Sequence, residues 1–256
     1  MVAGDVRWRR VQTKGWTLDS NLVNLVSRLI LLFGGDFFGF ADTTAAKRAI
    51  ELQGGELVSG YPRAISIGIA LPGAIVDMLP MRSEPGVAVS YRVHCYEVIN
   101  TRLDLISSSV AGLLQRHGYR ALPLPASERI DDDRICASFS HKMAANLAGL
   151  GWIGKSCLLV TPQVGPRARW TTVLTAAPFV PEAGRLEDRC GECSACVEAC
   201  PVSAFTGRPF SEGEPREARY DARACEFHLT QPAGDDRRVC GMCIYACPFG
   251  RRPGPS

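Results

Sequence analysis

The fold of the C-terminal part of the chain is decided by the stretch Cys190-Gly-Glu-Cys193-Ser-Ala-Cys196-Val-Glu-Ala-Cys200-Pro201. Its spacing, C-x2-C-x2-C-x3-C-P, is typical of bacterial ferredoxins, in which three cysteines ligate one 4Fe–4S cluster and the fourth ligates a neighbouring cluster. Two residues between cysteines return the chain to the same face, so the first three thiolates can reach one cluster. The fourth cysteine starts a turn that leads away, and the proline after it has no N–H to leave unsatisfied. We call this stretch the first arm.

A second stretch repeats this pattern with one ligand fewer. It reads Cys240-Gly-Met-Cys243-Ile-Tyr-Ala-Cys247-Pro248, and we call it the second arm. When the two arms are aligned on their Cys-Pro ends, Arg237 stands opposite Cys190, and arginine cannot ligate iron. Cys225 lies nearby in the sequence and supplies the missing ligand. We therefore predict two 4Fe–4S clusters, one held by Cys190, Cys193, Cys196 and Cys247, the other by Cys225, Cys240, Cys243 and Cys200.

Zinc and disulfides are the alternative uses of these cysteines. Zinc ribbons use C-x2-C pairs in fours, so the extra cysteines and the following proline are surplus to them. Disulfides require an oxidising compartment, whereas no signal peptide is evident at the N-terminus and no apolar run is long enough to span a bilayer. We expect a cytoplasmic protein without a membrane association. Three of the 11 cysteines, Cys95, Cys136 and Cys157, lie outside this ligand set, and cysteines such as Cys136 and Cys157 are most often small buried residues.

Composition and periodicity describe the rest of the chain. The 256 residues carry a net charge of +3, with 46% hydrophobic and 21% charged residues, which is ordinary for a globular protein and favours neither nucleic acid nor membrane. Helical spacing over 19–33, 87–117 and 138–150 alternates with strand-like runs, of which 63–70 predicts a buried central strand. Shorter strands are predicted at 37–41, 119–125, 157–161 and 169–175, and a helix capped by Thr43-Thr44 is predicted to end near residue 53.

These patterns predict an α/β (α+β) fold with two domains. Residues 1–182 form an N-terminal sandwich domain in this prediction, and residues 183–256 form a ferredoxin-like dicluster 4Fe–4S module. Residues 72–87 are expected to be irregular, residues 205–224 to be a surface loop with little structure, and short helices to follow each Cys-Pro.

A second informative stretch is Gly149-Leu-Gly151-Trp152-Ile-Gly154-Lys155-Ser156. It matches the P-loop pattern G-x4-G-K-[ST] literally, but a P-loop follows a strand and opens a helix, and here a predicted helix comes first. Glycines in such a segment permit positive φ angles and close backbone approach to a ligand. Lys155, among these glycines at the boundary of an element, is a candidate for binding a cofactor.

The segment 148–155, followed by the two arms with Cys225 between them, resembles the epoxyqueuosine reductases. It is similar, more distantly, to the iron–sulfur half of the corrinoid-dependent reductive dehalogenases. The resemblance covers roughly residues 60–250. It implies a base-off cobalamin over an α/β core, to which the clusters deliver electrons one at a time. It also implies a cofactor site made by Gly151, Trp152, Gly154, Lys155 and, in the loop after the next strand, Arg167, whose guanidinium suits an anionic group.

The chain departs from the epoxyqueuosine reductases in two places. The catalytic aspartate of that family stands in a D-S-x-P run, where this chain has Ile135 and Cys136, with Ser138 in place of the proline. Asp133, just before, is the substitute after a small register shift, or else part of a solvated turn. His141 has a suitable pKa for a proton donor or simply caps a helix. We take Asp133, Cys136 and His141 as catalytic candidates. The C-terminal extension that grips tRNA in the family is expected to be missing.

Two functions remain open from the sequence. The first is an oxidoreductase related to epoxyqueuosine reductase, which takes electrons from an external donor and acts on a small molecule or on tRNA. The second is an electron-transfer or activator protein that reduces a partner and has no substrate of its own.

Overall fold

The fold is a four-stranded antiparallel sheet with helices on both faces, followed by a cysteine-rich module. The computed structural model describes residues 18–181, 183–230 and 239–251. The strands are β1 Phe37–Asp42, β2 Arg63–Ala70, β3 Ala121–Leu124, β4 Trp152–Ile153, β5 Leu159–Val160 and β6 Ala168–Thr175. The helices are α1 Leu18–Leu32, α2 Lys47–Gly54, α3 Glu56–Ser59, α4 Gly73–Asp77, α5 Pro85–Arg92, α6 Val98–Arg116, α7 His141–Leu147, α8 Ala195–Glu198, α9 Ala222–Thr230 and α10 Met242–Tyr245. The predicted mixed α and β architecture is confirmed.

Strand β2 is central, as its apolar sequence predicts. The sheet has the order β1-β2-β6-β3, and every neighbouring pair is antiparallel. Successive side chains of a strand point to opposite faces. Ile65, Ile67 and Ile69 are accordingly buried against α1 and α6 on one face, while Ala64 packs with α7 on the other. Each buried isoleucine contributes roughly 1.5–3 kcal/mol to folding.

The predicted long helix over 87–117 is present, with a π-helical turn that the sequence did not indicate. Helix α5 continues through the π turn Val93–Glu97 into α6, which gives way to a loop at Gly118 with a φ of +85°. Such turns insert one residue into a helix and are frequent at functional sites. Here the turn buries Cys95 completely in the core.

Four local predictions are wrong. Helix α2 begins at Lys47 without a side-chain cap, because Thr44 bonds the Asp42 carboxylate instead. Residues 72–87 contain α4 and the start of α5 rather than irregular chain. The segment 205–224 carries a 3-10 turn at Arg216–Ala218 and the first residues of α9. The short helices α8 and α10 lie inside the cysteine runs, and only the second Cys-Pro is followed by the expected short helix, a 3-10 turn at Pro248–Gly250.

The cysteine-rich module packs directly on the sheet domain. Val239, Met242, Ile244 and Tyr245 of the module are packed against the core cluster formed with α4, α5 and α6. Farther along, the ring of Phe249 meets Trp152 edge-on, with 4.8 Å between centroids. The second arm is therefore fixed on both sides by the N-terminal domain.

No helix in the described ranges has both the length and the apolar character needed to cross a bilayer. Residues 1–17, where no signal peptide was expected, and Arg237 lie outside the described residues.

Candidate metal centre

The first arm is a tight turn followed by one helical turn. Gly191 has a φ of +48°, and the Cys193 N–H donates to the Cys190 carbonyl at 2.9 Å, which brings these two cysteines together. Helix α8 then presents Cys196, and the chain leaves at Cys200, whose Sγ accepts the Ala204 N–H at 3.3 Å.

The second arm has the same shape. Gly241 adopts a left-handed φ of +72° just before α10, which carries Cys243. A Cβ at position 241 would lie 2.6 Å from the Tyr91 hydroxyl, so only glycine fits this turn. Cys225 reaches the same region from helix α9, whose first turn is tied down by an Asp221 carboxylate that accepts the Ala224 N–H.

The structure brings the eight cysteines together in two groups of four. The first group comprises Cys190, Cys193, Cys196 and Cys247, and the second group comprises Cys200, Cys225, Cys240 and Cys243. Burial raises the pKa of Cys196 to about 11, with further increases from Cys190, Cys247 and Cys193. Burial likewise raises the pKa of Cys243 to about 12, helped first by Cys240 and Cys225.

The fourth cysteine of each arm belongs to the other arm's group. Burial raises the pKa of Cys247, and its neighbours in this effect are Cys190 and Cys193 of the first arm. Burial also raises the pKa of Cys225, with contributions from Cys240 and from Cys200. These neighbours are consistent with the predicted exchange of Cys200 and Cys247, and Cys196 is also a neighbour of Cys243, so the two groups adjoin each other. The assignment of individual ligands stays a prediction.

These two groups suit a cluster better than a single ion. Tetrahedral zinc with Zn–S bonds of about 2.3 Å draws its four sulfurs to within about 4 Å of each other. In the described part of the chain, no three His, Cys, Asp or Glu side chains stand close enough to hold one metal ion. Crowded and buried thiols resist ionisation, and the positive charge of several irons is what would stabilise them as thiolates.

Backbone N–H groups point at the sulfurs of the first group. Burial raises the pKa of Cys190, whereas the backbone N–H of Lys155 and the indole of Trp152 lower it. The Trp152 Nε1 is buried and has no hydrogen-bond partner of ordinary geometry, although it faces this thiol. The N–H groups of Phe249 and Gly250 lower the pKa of Cys247 in the same way. Hydrogen bonds to sulfur adjust the potential of a cluster.

In the second group, one of the hydrogen-bond donors to sulfur is a side chain. The Tyr220 hydroxyl donates to Cys225, which lowers the pKa of that thiol and, after burial, is the largest cause of the raised pKa of Tyr220. The Tyr220 ring stacks on Phe205 with centroids 5.1 Å apart, so its position is fixed.

The five residues predicted to bind a corrinoid contact either the cysteine-rich module or other residues of the N-terminal domain. A Cβ at Gly151 would meet the Val160 carbonyl oxygen at 2.4 Å, and a Cβ at Gly154 would lie 3.2 Å from Cys190 Sγ. Trp152 is buried, and the Lys155 ammonium donates to the Gly191 carbonyl at 2.6 Å. This segment therefore supports the first arm, and its glycines make room for protein atoms rather than for a ligand.

Arg167 is held in an ion pair, although its buried Nε and Nη2 have no hydrogen-bond partner of ordinary geometry among the described residues. It is 7% exposed, its Nη2 lies 2.8 Å from Asp77 Oδ1 in an ion pair, and its side chain lines the space above Gly250. With these contacts, the five residues do not form a cradle that fits cobalamin.

His141 has both ring nitrogens engaged. Its Nε2 lies 3.0 Å from the Pro125 carbonyl and its Nδ1 lies 2.9 Å from Thr172 Oγ1. A carbonyl only accepts, so Nε2 carries the proton and Nδ1 accepts from the Thr172 hydroxyl. Burial lowers the pKa of His141 to about 4, so the ring is neutral near pH 7. The residue that caps helix α7 is Ser140, whose Oγ accepts the Met143 N–H at 3.4 Å, so His141 is not the cap.

Asp133 and Cys136 lie on a tight loop that the cysteine-rich module holds. Asp133 is fully exposed, and Arg223 donates to its carbonyl at 2.7 Å. Cys136 pairs with Asp131 in an isolated antiparallel bridge, and Ile135 between them has a strained φ of +51°. Arg216 donates to the Ile135 carbonyl at 2.9 Å.

Sequence reasoning missed the buried and half-buried cations behind the second group. Lys142, Arg216 and Arg219 come from α7 and from the segment predicted to be a surface loop. Arg219 is 5% exposed and lies over the Phe210 ring at 4.8 Å. The arginine content of 205–224 was a visible signal, but its direction toward the core depends on the tertiary fold.

Comparison with known proteins agrees with this site. Residues 189–250 match the family model for the 4Fe–4S double cluster binding domain. The epoxyqueuosine reductase of Listeria monocytogenes is 26% identical over 94% of this chain and 62% of its own length, and that of Pseudomonas aeruginosa is 28% identical over 86% and 60%. The chain thus spans about three fifths of the length of these curated relatives.

Solved structures share the fold. A reductive dehalogenase whose structure was reported to suggest a mechanism for B12-dependent dehalogenation superposes with a TM-score of 0.68 and 19% identity, over 94% of this chain and 33% of its own. An epoxyqueuosine reductase in complex with an epoxyqueuosine-modified tRNA stem loop superposes with a TM-score of 0.57 and 21% identity, over 90% of this chain and 65% of its own.

Proposed function

We propose that this relative of the epoxyqueuosine reductases is an oxidoreductase that passes electrons through two 4Fe–4S clusters. The observation that carries the proposal is the convergence of eight cysteines in two groups, each completed by a cysteine from the other arm. When bound, each cluster would accept and release one electron at a time. We further propose residues 1–182 and 183–256 as the substrate-side and cluster-side units.

The residues of the chain have separable tasks in this proposal. The eight cysteines hold the clusters, with Cys190, Cys193, Cys196 and Cys247 on one and Cys200, Cys225, Cys240 and Cys243 on the other. The N–H groups of Lys155, Phe249 and Gly250 and the Tyr220 hydroxyl donate to the sulfurs, which favours the more negative, reduced state. Ring contact between Trp152 and Phe249 fixes the second arm on the N-terminal domain.

The electrons need a donor and an acceptor. We propose an external donor protein and a cytoplasmic setting, since thiols kept for iron require reducing conditions. The relatives carry the names of enzymes that reduce substrates, which favours an enzyme over an electron carrier. Cobalamin is the acceptor suggested by the likeness to the B12-dependent enzyme, but Gly151, Gly154 and Arg167 are engaged within the protein, so we assign no residue to it.

The catalytic region we propose is the loop 131–136. Asp133 is accessible to a substrate and Cys136 lies on the same hairpin, whereas His141 holds helix α7 through its two hydrogen bonds. A binding experiment distinguishes a small-molecule substrate from tRNA. An electrophoretic shift with a tRNA anticodon stem loop supports tRNA, and the absence of a shift supports a small molecule.

The test of the central proposal is metal content. Protein reconstituted anaerobically should bind about eight irons and eight sulfides, since each cluster holds four of each. Cys225→Ser should retain about four, and the matched variant Cys95→Ala, which changes a cysteine outside both groups, should retain about eight. Wild-type protein that binds zinc in place of iron contradicts the proposal, and a corrinoid spectrum in the purified protein would identify the acceptor.

A further inference from the structure

Two cations, the buried Arg219 and the half-buried Lys142, lie near the second group without a carboxylate partner in the described residues. The Lys142 ammonium donates to the Cys157 carbonyl at 2.6 Å, and Arg219 Nη1 lies 3.8 Å from Cys157 Sγ. The Arg219 Nε is buried and has no hydrogen-bond partner among residues 18–181, 183–230 and 239–251. In the same ranges, no aspartate or glutamate forms an ion pair with Lys142 or Arg219, whereas nearby Arg216 pairs with Glu217 at 2.9 Å.

An isolated buried cation is costly, so this arrangement needs a counter-charge. Burial lowers the pKa of Lys142, Cys157 opposes that shift, and Arg216 and Arg219 deepen it. Hydrogen bonds place the pair beside the second group: Arg219 precedes Tyr220, which bridges to Phe205, and the Ala204 N–H before Phe205 donates to Cys200 Sγ at 3.3 Å. Cys243 also opposes the shift of Lys142. The cations near the first group differ in their partners: the buried Arg167 pairs with Asp77, and the Lys155 ammonium donates to the Gly191 carbonyl.

A 4Fe–4S cluster with four thiolates is negatively charged and becomes more so on reduction. Cations buried in a medium of low dielectric interact with that charge strongly and with little screening by salt. Both side chains are held in place, since Arg219 lies over the Phe210 ring and Lys142 donates to the Cys157 carbonyl.

We infer that Lys142 and Arg219 are the buried counter-charge of the cluster in the second group and raise its reduction potential. This inference rests on the proposed function, because it requires the cluster. It assigns the two residues a positioning and electrostatic role, since neither touches a substrate.

The experiment is an EPR-monitored redox titration of the full-length protein, reconstituted anaerobically. The signal that disappears in Cys225→Ser belongs to the second group. Lys142→Met should shift the midpoint of that signal to more negative potential by at least a tenfold change in the reduction equilibrium, which is about 59 mV for one electron. The same substitution at an exposed position, Lys47→Met on α2, should leave both midpoints unchanged.

A pair of variants at Arg219 separates charge from packing. Arg219→Gln should shift the second-group midpoint in the same negative direction, and Arg219→Lys, which keeps the charge, should shift it less. Raising the salt concentration should change none of these differences by much, because the cations are buried.

The outcomes are distinguishable. An unchanged second-group midpoint in Lys142→Met, with about eight irons retained, overturns the inference. If Lys142→Met fails to bind iron, the Arg219 pair decides, and equal midpoints for Arg219→Gln and Arg219→Lys overturn it. Wild-type protein that binds no iron overturns the proposed function instead.

Discussion

The two cysteine groups have the same ligands but different surroundings. The first group receives hydrogen bonds mainly from the backbone, through the N–H groups of Lys155, Phe249 and Gly250. The second group receives a side-chain hydroxyl from Tyr220 and faces the buried cations Lys142 and Arg219. Backbone donors stay in place when a side chain is exchanged, whereas side-chain donors and cations do not. The second group is therefore the one whose electrostatics a point mutation can alter.

The largest expected effect comes from removing a ligand that crosses between the arms. Cys247→Ser should abolish the cluster of the first group, although Cys247 belongs to the second arm, and lower the iron content from about eight to about four. The remaining EPR signal should be the one that Cys225→Ser removes. If both variants remove the same signal, the exchange of Cys200 and Cys247 is wrong.

We expect a fall in pH to disturb the surroundings of the second group before those of the first group. The pKa of His141 is about 4 in the folded protein, below its ordinary 6.5. A depressed pKa means that the unfolded chain binds the proton more readily, so stability is present above pH 6.5 and is lost as the pH falls through 4. The loss is about 3 kcal/mol at most, at 1.36 kcal/mol per pKa unit.

Denaturant unfolding between pH 7 and 4 measures this loss. His141→Gln should flatten the pH dependence, because glutamine does not titrate. Since His141 starts the helix that carries Lys142, we expect the second-group EPR signal to broaden in acid before that of the first group. The same pH dependence in wild type and in His141→Gln would falsify the assignment.

Two glycines provide matched tests of how closely each group is packed. Gly241→Ala places an L residue at a φ of +72° and a Cβ 2.6 Å from the Tyr91 hydroxyl, which should cost about 1–2 kcal/mol in backbone strain plus the clash. Gly154→Ala places a Cβ 2.9 Å from a Val160 methyl and 3.2 Å from Cys190 Sγ.

Iron release to a chelator distinguishes the two glycine variants. We expect faster release from the second group in Gly241→Ala and from the first group in Gly154→Ala. Gly213→Ala is the control, since a Cβ there meets nothing within 4 Å. Release from the same group in both variants would contradict the packing described above.

The smallest effect is expected from Tyr220→Phe. The ring can keep its stacking on Phe205, while the hydrogen bond to Cys225 is lost, at about 0.5–1.5 kcal/mol. The second-group midpoint should therefore fall by no more than about a tenfold change in the reduction equilibrium. Tyr61→Phe, far along the chain in the sheet domain, serves as the control, and a shift of the first-group signal would contradict the assignment of Tyr220.

The sequence predicts the metal site well because its ligands are close together along the chain. The spacing of the arms identifies five of the cysteines as local sets, and counting ligands brings in Cys225 and the exchanged Cys200 and Cys247. The central strand Arg63–Ala70 is equally visible, because its isoleucines face the core at every second residue. Such local regularities require no knowledge of the tertiary structure.

The failures arise where distant residues compete. Thr44 was expected to cap a helix, but the Asp42 carboxylate accepts its N–H at 2.9 Å. The glycines of 149–155 were expected to approach a ligand, whereas their neighbours are Val160 and Cys190. Arg219 stands in a polar segment that looks like a surface loop, and only its contact with Phe210 takes it into the interior. Asp42 is only two residues from Thr44, but the other partners named here lie outside helical or strand spacing in the sequence.

The exchange of the fourth cysteines has a consequence for assembly. Each arm alone offers an incomplete set of thiols, so neither site is finished until the two arms and helix α9 have met. Metal loading is therefore expected to follow the docking of these segments rather than to start it, and occupancy of either site reports that the whole module has closed. A chain cut between the arms should fill neither site until its pieces reassociate.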